Sequence, residues 1–484
     1  MRVFLGNAPW RKPGYYGVRA GSRWPHFEDE RLEYMPFPFF LAYAAAVLER
    51  AGVEVCLVDA CAEAIDLPAF LDRAAAFAPD LLLLEVSTIS IDTDLATARA
   101  LRERLPGARL ALSGLHAFMH EPAWLAAHPE ADFVLVGEYE QTLLELAGRL
   151  ATGAGLAGCA GLLWRDEGGV CDEGRRPLVE ELDALPWPAR HFLPMERYHD
   201  EPGSIPRPSV QMWSSRGCPF GCVFCAWPQI MYNSRRYRVR SIRDTVDEME
   251  WLVREWGFRS VYFDDDTFNV HKERTLAFAG EVRRRRLGVP WAVMARADLM
   301  DRETLVALRD AGLYSLKYGV ESADPGLLRE MDKSLDIDRV RETIRLTAEL
   351  DIKMHLTFLF GMPGETRETA RRTIDLALAS GAESVQFSIA TPFPGSRYYV
   401  ELEKTGRLVT SDFERYDGFR SAVVRTEHLA PRDLEEIAIE ANRRWQEQRW
   451  ARQHPDNRSV AKKAVDLARE PQRWGESFKR WWRR

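Results

Sequence analysis

Twice along its 484 residues this chain repeats one rhythm, a short apolar run of strand length followed by a segment with apolar residues at helical spacing. That alternation constrains the fold more than any other feature. Parallel strands can be joined only through crossovers long enough to carry a helix, and strands covered on both faces read as unbroken apolar runs. Over residues 1–150 the strand candidates are RVFLGNA, VEVCLVDA, DLLLLEVS, RLALSG and DFVLVGE, with FLAYAAAVLERAG, LATARALRERL and TLLELAGRL as the helical segments. The order predicts a doubly wound α/β domain. Ligands of such sheets sit outside the carboxyl ends of the strands, which nominates Ser87, Thr88, Ser113, Gly114, Gly137 and Glu138 as ligand-facing residues.

Residues 151–205, rich first in glycine and charge and then in proline (LPWPARHFLP), read as a linker with room for a small hairpin. From 206 to 396 the rhythm returns in SVQMWSS, SVYFDDD, WAVMARAD, SLKYGVES, KMHLTFLFG and SVQFSIATP, separated by segments such as TVDEMEWLVREWG and RETLVALRDAG. Six β/α units predict a partial barrel of parallel strands, a (β/α)6 arrangement with its chemistry on the loops after the strands. Residues 397–484 show no further strand pattern and are expected to be helical.

Composition narrows the class. A chain that is 46% hydrophobic and 29% charged suits a soluble globular protein. No apolar run approaches the ~18–20 residues that span a bilayer, and the N-terminus lacks a signal peptide's continuous apolar stretch. Four of the seven cysteines, Cys56, Cys61, Cys159 and Cys171, are scattered, unlike a disulfide framework. Free thiols and a cytoplasmic location are the expectation. The net charge of −7 gives no general case for a nucleic-acid partner.

The other three cysteines, Cys218, Cys222 and Cys225, fall together in RGCPFGCVFCAWPQ, on the loop after the first strand of the second series. Thiolates at this spacing can share one metal centre. A closed zinc site takes four protein ligands, and no histidine lies between His199 and His271, so zinc would need a distant fourth ligand. A [4Fe-4S] cube held by three thiolates leaves one iron open, which is what a reductive enzyme uses.

With Phe224 just before the last cysteine and the loop at the head of a β/α series, the C-x-x-x-C-x-x-C array resembles the radical S-adenosylmethionine (SAM) superfamily. The resemblance implies that Cys218, Cys222 and Cys225 hold the cluster and that its open iron binds the amino and carboxylate groups of SAM. Reductive cleavage would then give a 5'-deoxyadenosyl radical that takes an unactivated hydrogen. It further implies Asp264, Asp265 and Asp266 of FDDDTF near the methionyl amine, a solvated acidic turn or helix cap being the other reading. Glu321 and Ser322 of YGVES fall near the ribose and Arg296 of MARAD at the methionine carboxylate, or else these are buried ion-pair residues. GMPGET (361–366) and TPFPGS (391–396) resemble the loops after strands five and six, where glycine permits close approach to adenine or substrate; such sequences also make plain turns.

The front domain resembles the Rossmann-like domain of that superfamily's cobalamin-binding branch, through SGLHAFMHEP (113–122) and ADFVLVGEYEQT. The Asp-x-His-x-x-Gly signature of other cobalamin proteins is absent. The implied cofactor is therefore cobalamin with neither its own benzimidazole nor a protein histidine on cobalt, and His116 and His120 are cast as contacts to the corrin or as packing. YYGVRAGSRWP (15–25) either folds over cofactor or substrate or is a surface loop.

The reaction implied is C-methylation: a hydrogen leaves an sp3 carbon, methylcobalamin supplies the methyl group, and a second SAM recharges the cobalt. Cyclisation, ring contraction or oxidation without methyl transfer is the alternative, because CAWPQ, RYRVRS and FDDDTF most resemble enzymes of hopanoid and related lipid tailoring. A non-catalytic cobalamin or iron-sulfur sensor is the alternative of another class. Expected partners are a small-molecule or lipid substrate and a reductant such as flavodoxin or ferredoxin. From Lys462 to Arg484 eight basic residues face three acids, with Trp474, Phe478, Trp481 and Trp482 at helical spacing; such a helix lies on an anionic membrane or docks on the protein.

Overall fold

A computed structural model describes residues 1–12, 15–17, 26, 27 and 34–453. Most of YYGVRAGSRWP and the whole basic tail lie outside the described residues.

The front sheet contains β1 (Arg2–Asn7), β2 (Glu54–Asp59), β3 (Leu81–Val86), β4 (Arg109–Gly114), β5 (Phe133–Leu135), β6 (Leu162–Asp166) and β7 (Gly169–Asp172). Their spatial order is β7-β6-β5-β4-β3-β1-β2, and β1 to β5 are mutually parallel. The chain reverses winding between β1 and β3, as the sequence predicts for a doubly wound sheet, so the ligand crevice opens after those strands. One difference concerns the expected linker: β6 and β7 form an antiparallel hairpin that extends the front sheet at its edge. Leu162 and Leu163 are buried there, which supplies the apolar contact that a free linker lacks.

The second sheet is β8 (Ser209–Met212), β11 (Ser260–Phe263), β12 (Trp291–Ala295), β13 (Leu313–Glu321), β14 (Lys353–Phe360) and β15 (Ser384–Ile389), all parallel and neighbours in chain order. This is the expected six-stranded partial barrel. A short ladder of β9 (Ser215–Arg216) with β10 (Arg238–Val239) stands over its mouth.

Helix α1 (Phe39–Arg50) joins the two halves. Every residue from Phe39 to Leu48 is buried. A helix covering one sheet needs one apolar stripe, and one that is apolar all round needs two partners. Its partners here are the front sheet and the barrel: Phe39 stacks on Trp213 at 4.1 Å between ring centroids and 11° between planes, and Phe40 lies 5.9 Å from Trp227. One core therefore runs from Val3 and Leu83 through α1 to Met212 and Leu356, while the far face of the front sheet keeps its own core around Phe4, Phe70 and Leu110.

The proline-rich segment also buries Arg190, whose Nη2 donates to the Gln211 carbonyl at 2.9 Å and to Glu248 at 3.1 Å. The C-terminal region is less helical than expected: after Arg397–Lys404 the chain loops back, and Phe413 packs on His116 of the front domain at 5.4 Å, before a long helix at Pro431–Gln453. Among the described residues no helix is long and apolar enough to cross a membrane.

Candidate active site

The cysteine loop is an excursion between paired strands. β9 enters it and β10 leaves it, with Arg216 opposite Arg238. Gly217 makes the bend at φ +88°, and a Cβ there would stand 2.1 Å from the Arg236 carbonyl oxygen, so only glycine fits. Trp227–Met231 closes the excursion with one π-helical turn. From that turn the Gln229 side-chain amide donates to the carbonyls of Cys222, Val223 and Cys225 at 3.1, 3.0 and 2.7 Å, fixing the path of the loop.

The barrel holds the entry strand from the other side. Asp265 accepts from Ser214 N at 2.9 Å, Ser214 Oγ at 3.1 Å and Ser215 Oγ at 2.5 Å, and Asp266 accepts from Gly217 N at 3.0 Å. Burial pushes the Asp265 carboxyl up to about 6. The three acids of FDDDTF thus divide, as extended backbone alternates. Asp264 and Asp266 face a cleft, and Asp265 lies fully buried behind the cysteine loop, where it is neither a solvated turn nor a cleft residue.

That cleft, about 1660 Å³ with its open mouth, separates the cysteine loop from the front sheet. Cys218, Cys222, Cys225 and Phe224 line it with Phe220 and Trp227, and Arg296 and Glu321 line it from the barrel. The Arg296 guanidinium lies over the Phe220 ring at 3.7 Å and pairs with Asp298 at 2.8 Å. Glu321 accepts from Lys333 Nζ at 2.7 Å. Ser322 differs from the expectation: it is fully buried on the far side of the strand, 3.3 Å from Thr373 Oγ1. Burial raises the Cys218 and Cys222 thiols, and Lys333 opposes this at Cys222.

At the front sheet, Ser87 and Thr88 after β3 and Leu115 after β4 open on the same cleft. The other nominated residues do not. Ser113 is buried, donating to the Leu135 carbonyl at 2.9 Å beside Gly114 at the strand end. His116 is 2% exposed, with Nδ1 3.3 Å from Thr88 Oγ1 and its ring against Phe118, Trp124 and Phe413. Burial lowers it to about 4 and lowers His120 to about 3. Among the described residues no histidine lines the cleft. Gly137 and Glu138 face the barrel: a Cβ at Gly137 would come within 3.0 Å of the Met231 carbonyl, and Glu138 pairs with Arg216 and Arg238.

Sequence reasoning missed Lys333, Thr267, whose Oγ1 is 3.3 Å from Cys218 Sγ, and the Lys317–Asp200 pair at 3.2 Å deep in the cleft. Spacing could have found Thr267, next to the acidic triple; nothing near Lys333 or Asp200 signals a site.

Among the described residues no three of Cys, His, Asp or Glu close round one point as a single metal ion requires. Three thiols of one loop face one cleft that no histidine lines among the described residues, a donor set that suits a cluster held by three thiolates. The crevice of the front sheet, open towards those thiols, fits a second cofactor.

Known proteins share this arrangement. Residues 214–377 match the Radical SAM superfamily and residues 31–147 match the B12 binding domain. An uncharacterized methyltransferase of Pyrococcus horikoshii is 27% identical over 404 residues, 84% of this chain and 86% of its own length. The anaerobic magnesium-protoporphyrin IX monomethyl ester cyclase of Rubrivivax gelatinosus is 27% identical over 421 residues, 84% of this chain and 71% of its own. The structure of the radical S-adenosylmethionine methyltransferase TsrM from Kitasatospora setae, with cobalamin and a [4Fe-4S] cluster bound, is similar with a TM-score of 0.68 at 20% identity, covering 91% of this chain and 90% of that one.

Proposed function

We propose that this chain, which belongs to the radical SAM superfamily and carries a B12-binding domain ahead of its barrel, is a cobalamin-dependent radical enzyme that methylates an unactivated carbon. One observation carries the reading: the cysteine loop and the crevice of the front sheet open on a single cleft. Cys218, Cys222 and Cys225 are the residues to hold a [4Fe-4S] cluster, and the edge at Ser87, Thr88 and Leu115 is the one to hold cobalamin. When bound, the cluster supplies the electron that splits SAM into methionine and a 5'-deoxyadenosyl radical, and cobalamin supplies a transferable methyl group.

The chain's own residues bind, orient and exclude water. Arg296, fixed by Asp298 and Phe220, is suited to the methionine carboxylate, and Asp264 and Asp266 are acceptors for the N–H groups of its amine. Glu321, oriented by Lys333, is an acceptor for ribose hydroxyls. Phe220, Phe224, Trp227 and Phe393 make the apolar wall that keeps water from a reactive carbon. A reductant of the flavodoxin or ferredoxin kind delivers the electrons, and the substrate is a small molecule or a lipid.

The test is anaerobic reconstitution with SAM under reducing conditions. 5'-Deoxyadenosine and S-adenosylhomocysteine appearing together is the expected result, and no 5'-deoxyadenosine would overturn the reading. Similarity to a cyclase favours a second outcome, in which hydrogen removal ends in ring closure or oxidation. 5'-Deoxyadenosine without S-adenosylhomocysteine would select it.

A further inference from the structure

The excursion that carries the three cysteines has two roots, Arg216 and Arg238, opposite each other across the β9/β10 ladder. Both are matched by carboxylates of the front domain. Glu138 Oε1 accepts from Arg216 Nη1 at 3.3 Å and Arg238 Nη2 at 2.7 Å, and its Oε2 accepts from Arg238 Nη1 at 2.7 Å. Glu140 Oε1 lies 2.8 Å from Arg216 Nη2, close in charge but not aligned as a hydrogen bond. All four side chains are at most 3% exposed. Arg216 is further enclosed by the rings of Phe40, Tyr43 and Trp213 at 5.1, 4.6 and 5.4 Å. Charge-assisted bonds of this kind, with Arg238 and Glu138 joined by a bidentate pair, are strong and directional where water is excluded. One front-domain side chain therefore holds both ends of the loop.

We propose that Glu138 is a positioning residue for the cysteine loop, through which the B12-binding domain sets the geometry of the cluster site it faces. The part concerning the cluster rests on the reading of Cys218, Cys222 and Cys225 given above; the anchoring of the loop does not. An interdomain ion pair with a merely structural role would change the melting temperature and nothing specific to residues 217–237.

The test uses the full chain and Glu138→Gln, which keeps the shape and removes the charge. In the metal-free protein, amide hydrogen exchange over 217–237 is expected to accelerate about tenfold or more relative to the front sheet and to β12 to β14. In anaerobically reconstituted protein, the paramagnetic resonance signal of the reduced cluster is expected to change shape and to respond several-fold less to added SAM. Arg238→Lys, which keeps the charge and loses the bidentate geometry, should fall between parent and Glu138→Gln; if Glu138→Gln does not accumulate folded, Arg238→Lys carries both measurements. Exchange and resonance signals indistinguishable from the parent's would overturn the proposal. A parent chain without any cluster signal would overturn the functional reading, and the exchange measurement would still decide whether Glu138 anchors the loop.

Discussion

Glu138 in the front domain and Glu365 in the loop after β14 are both buried carboxyl groups, and their surroundings are opposite. At Glu138 burial raises the carboxyl, but Arg216 and Arg238 outweigh it and leave it below the usual range. Glu365 is fully buried; among the described residues no cation stands beside it and its Oε1 has no partner, while its Oε2 accepts from Gly361 N and burial pushes it up to about 8. Glu138 needs its charge, because it fastens two cations across a domain boundary. Glu365 is held towards its neutral form chiefly by burial, against the pull of the backbone N–H it accepts from in GMPGET. Two buried acids thus sit at different loops under different physics, and pH separates them.

The scale is set where neither acid acts. Cys222→Ala is expected to abolish 5'-deoxyadenosine formation, a loss beyond roughly a hundredfold; retained cleavage would leave both acids arranged around nothing. Glu138→Ala leaves Arg216 and Arg238 buried without their counter-charge, and a loss of about 3–5 kcal/mol is expected in urea unfolding. A loss under about 1 kcal/mol would break the contrast.

Glu365→Gln sharpens it through pH. A carboxyl that keeps its proton when folded and loses it when unfolded favours the folded state less as pH rises. The share of the parent's stability that Glu365 contributes should therefore fall between pH 4.5 and about 8, by up to about 1.4 kcal/mol per unit, and the variant should lack that share. Glu138 has the other sign: its contribution is complete above pH 4.5 and is lost on acidification below it. Unfolding midpoints of parent and variant at pH 6.5 and 8 read the first effect as a difference between the two proteins, because the buried histidines, which still titrate near 6.5 in the unfolded chain, contribute equally to both. The smallest effect is expected at His116→Phe, which should leave the absorbance spectrum of bound cobalamin unchanged, since His116 points at Thr88 behind the cleft. A spectral shift would return a histidine to the cobalt.

The same contrast explains how much was legible in the sequence. Unbroken apolar runs such as LLLLEV announce a doubly covered strand wherever they occur, so both parallel sheets could be read directly. The cysteines were legible because a thiol triplet carries its chemistry in its own spacing. Carboxylates do not. Whether Glu138 faces a ligand or a cation is decided by Arg216 and Arg238, 78 and 100 residues away, and no local pattern encodes that meeting. Ser322 and Asp265 lie just past the ends of β13 and β11 and turn away from the cleft, because a one-residue change in alternation takes a side chain to the opposite face. A small hairpin was legible in residues 151–205, but not that β6 and β7 extend the front sheet, because Gly168, Gly169 and charged neighbours hide its apolar residues.

Helix α1 has a final consequence for anyone who would rearrange the molecule. With no outward side, it leaves no seam along which to cut. A graft that exchanged the N-terminal 205 residues for those of a distant relative would lay bare Trp213 and Trp227 unless the incoming helix carried the same bulky imprint. The two halves are thus heirlooms to be inherited together, and modular shuffling of cofactor domains should fail here at the stage of folding, before catalysis is ever asked for.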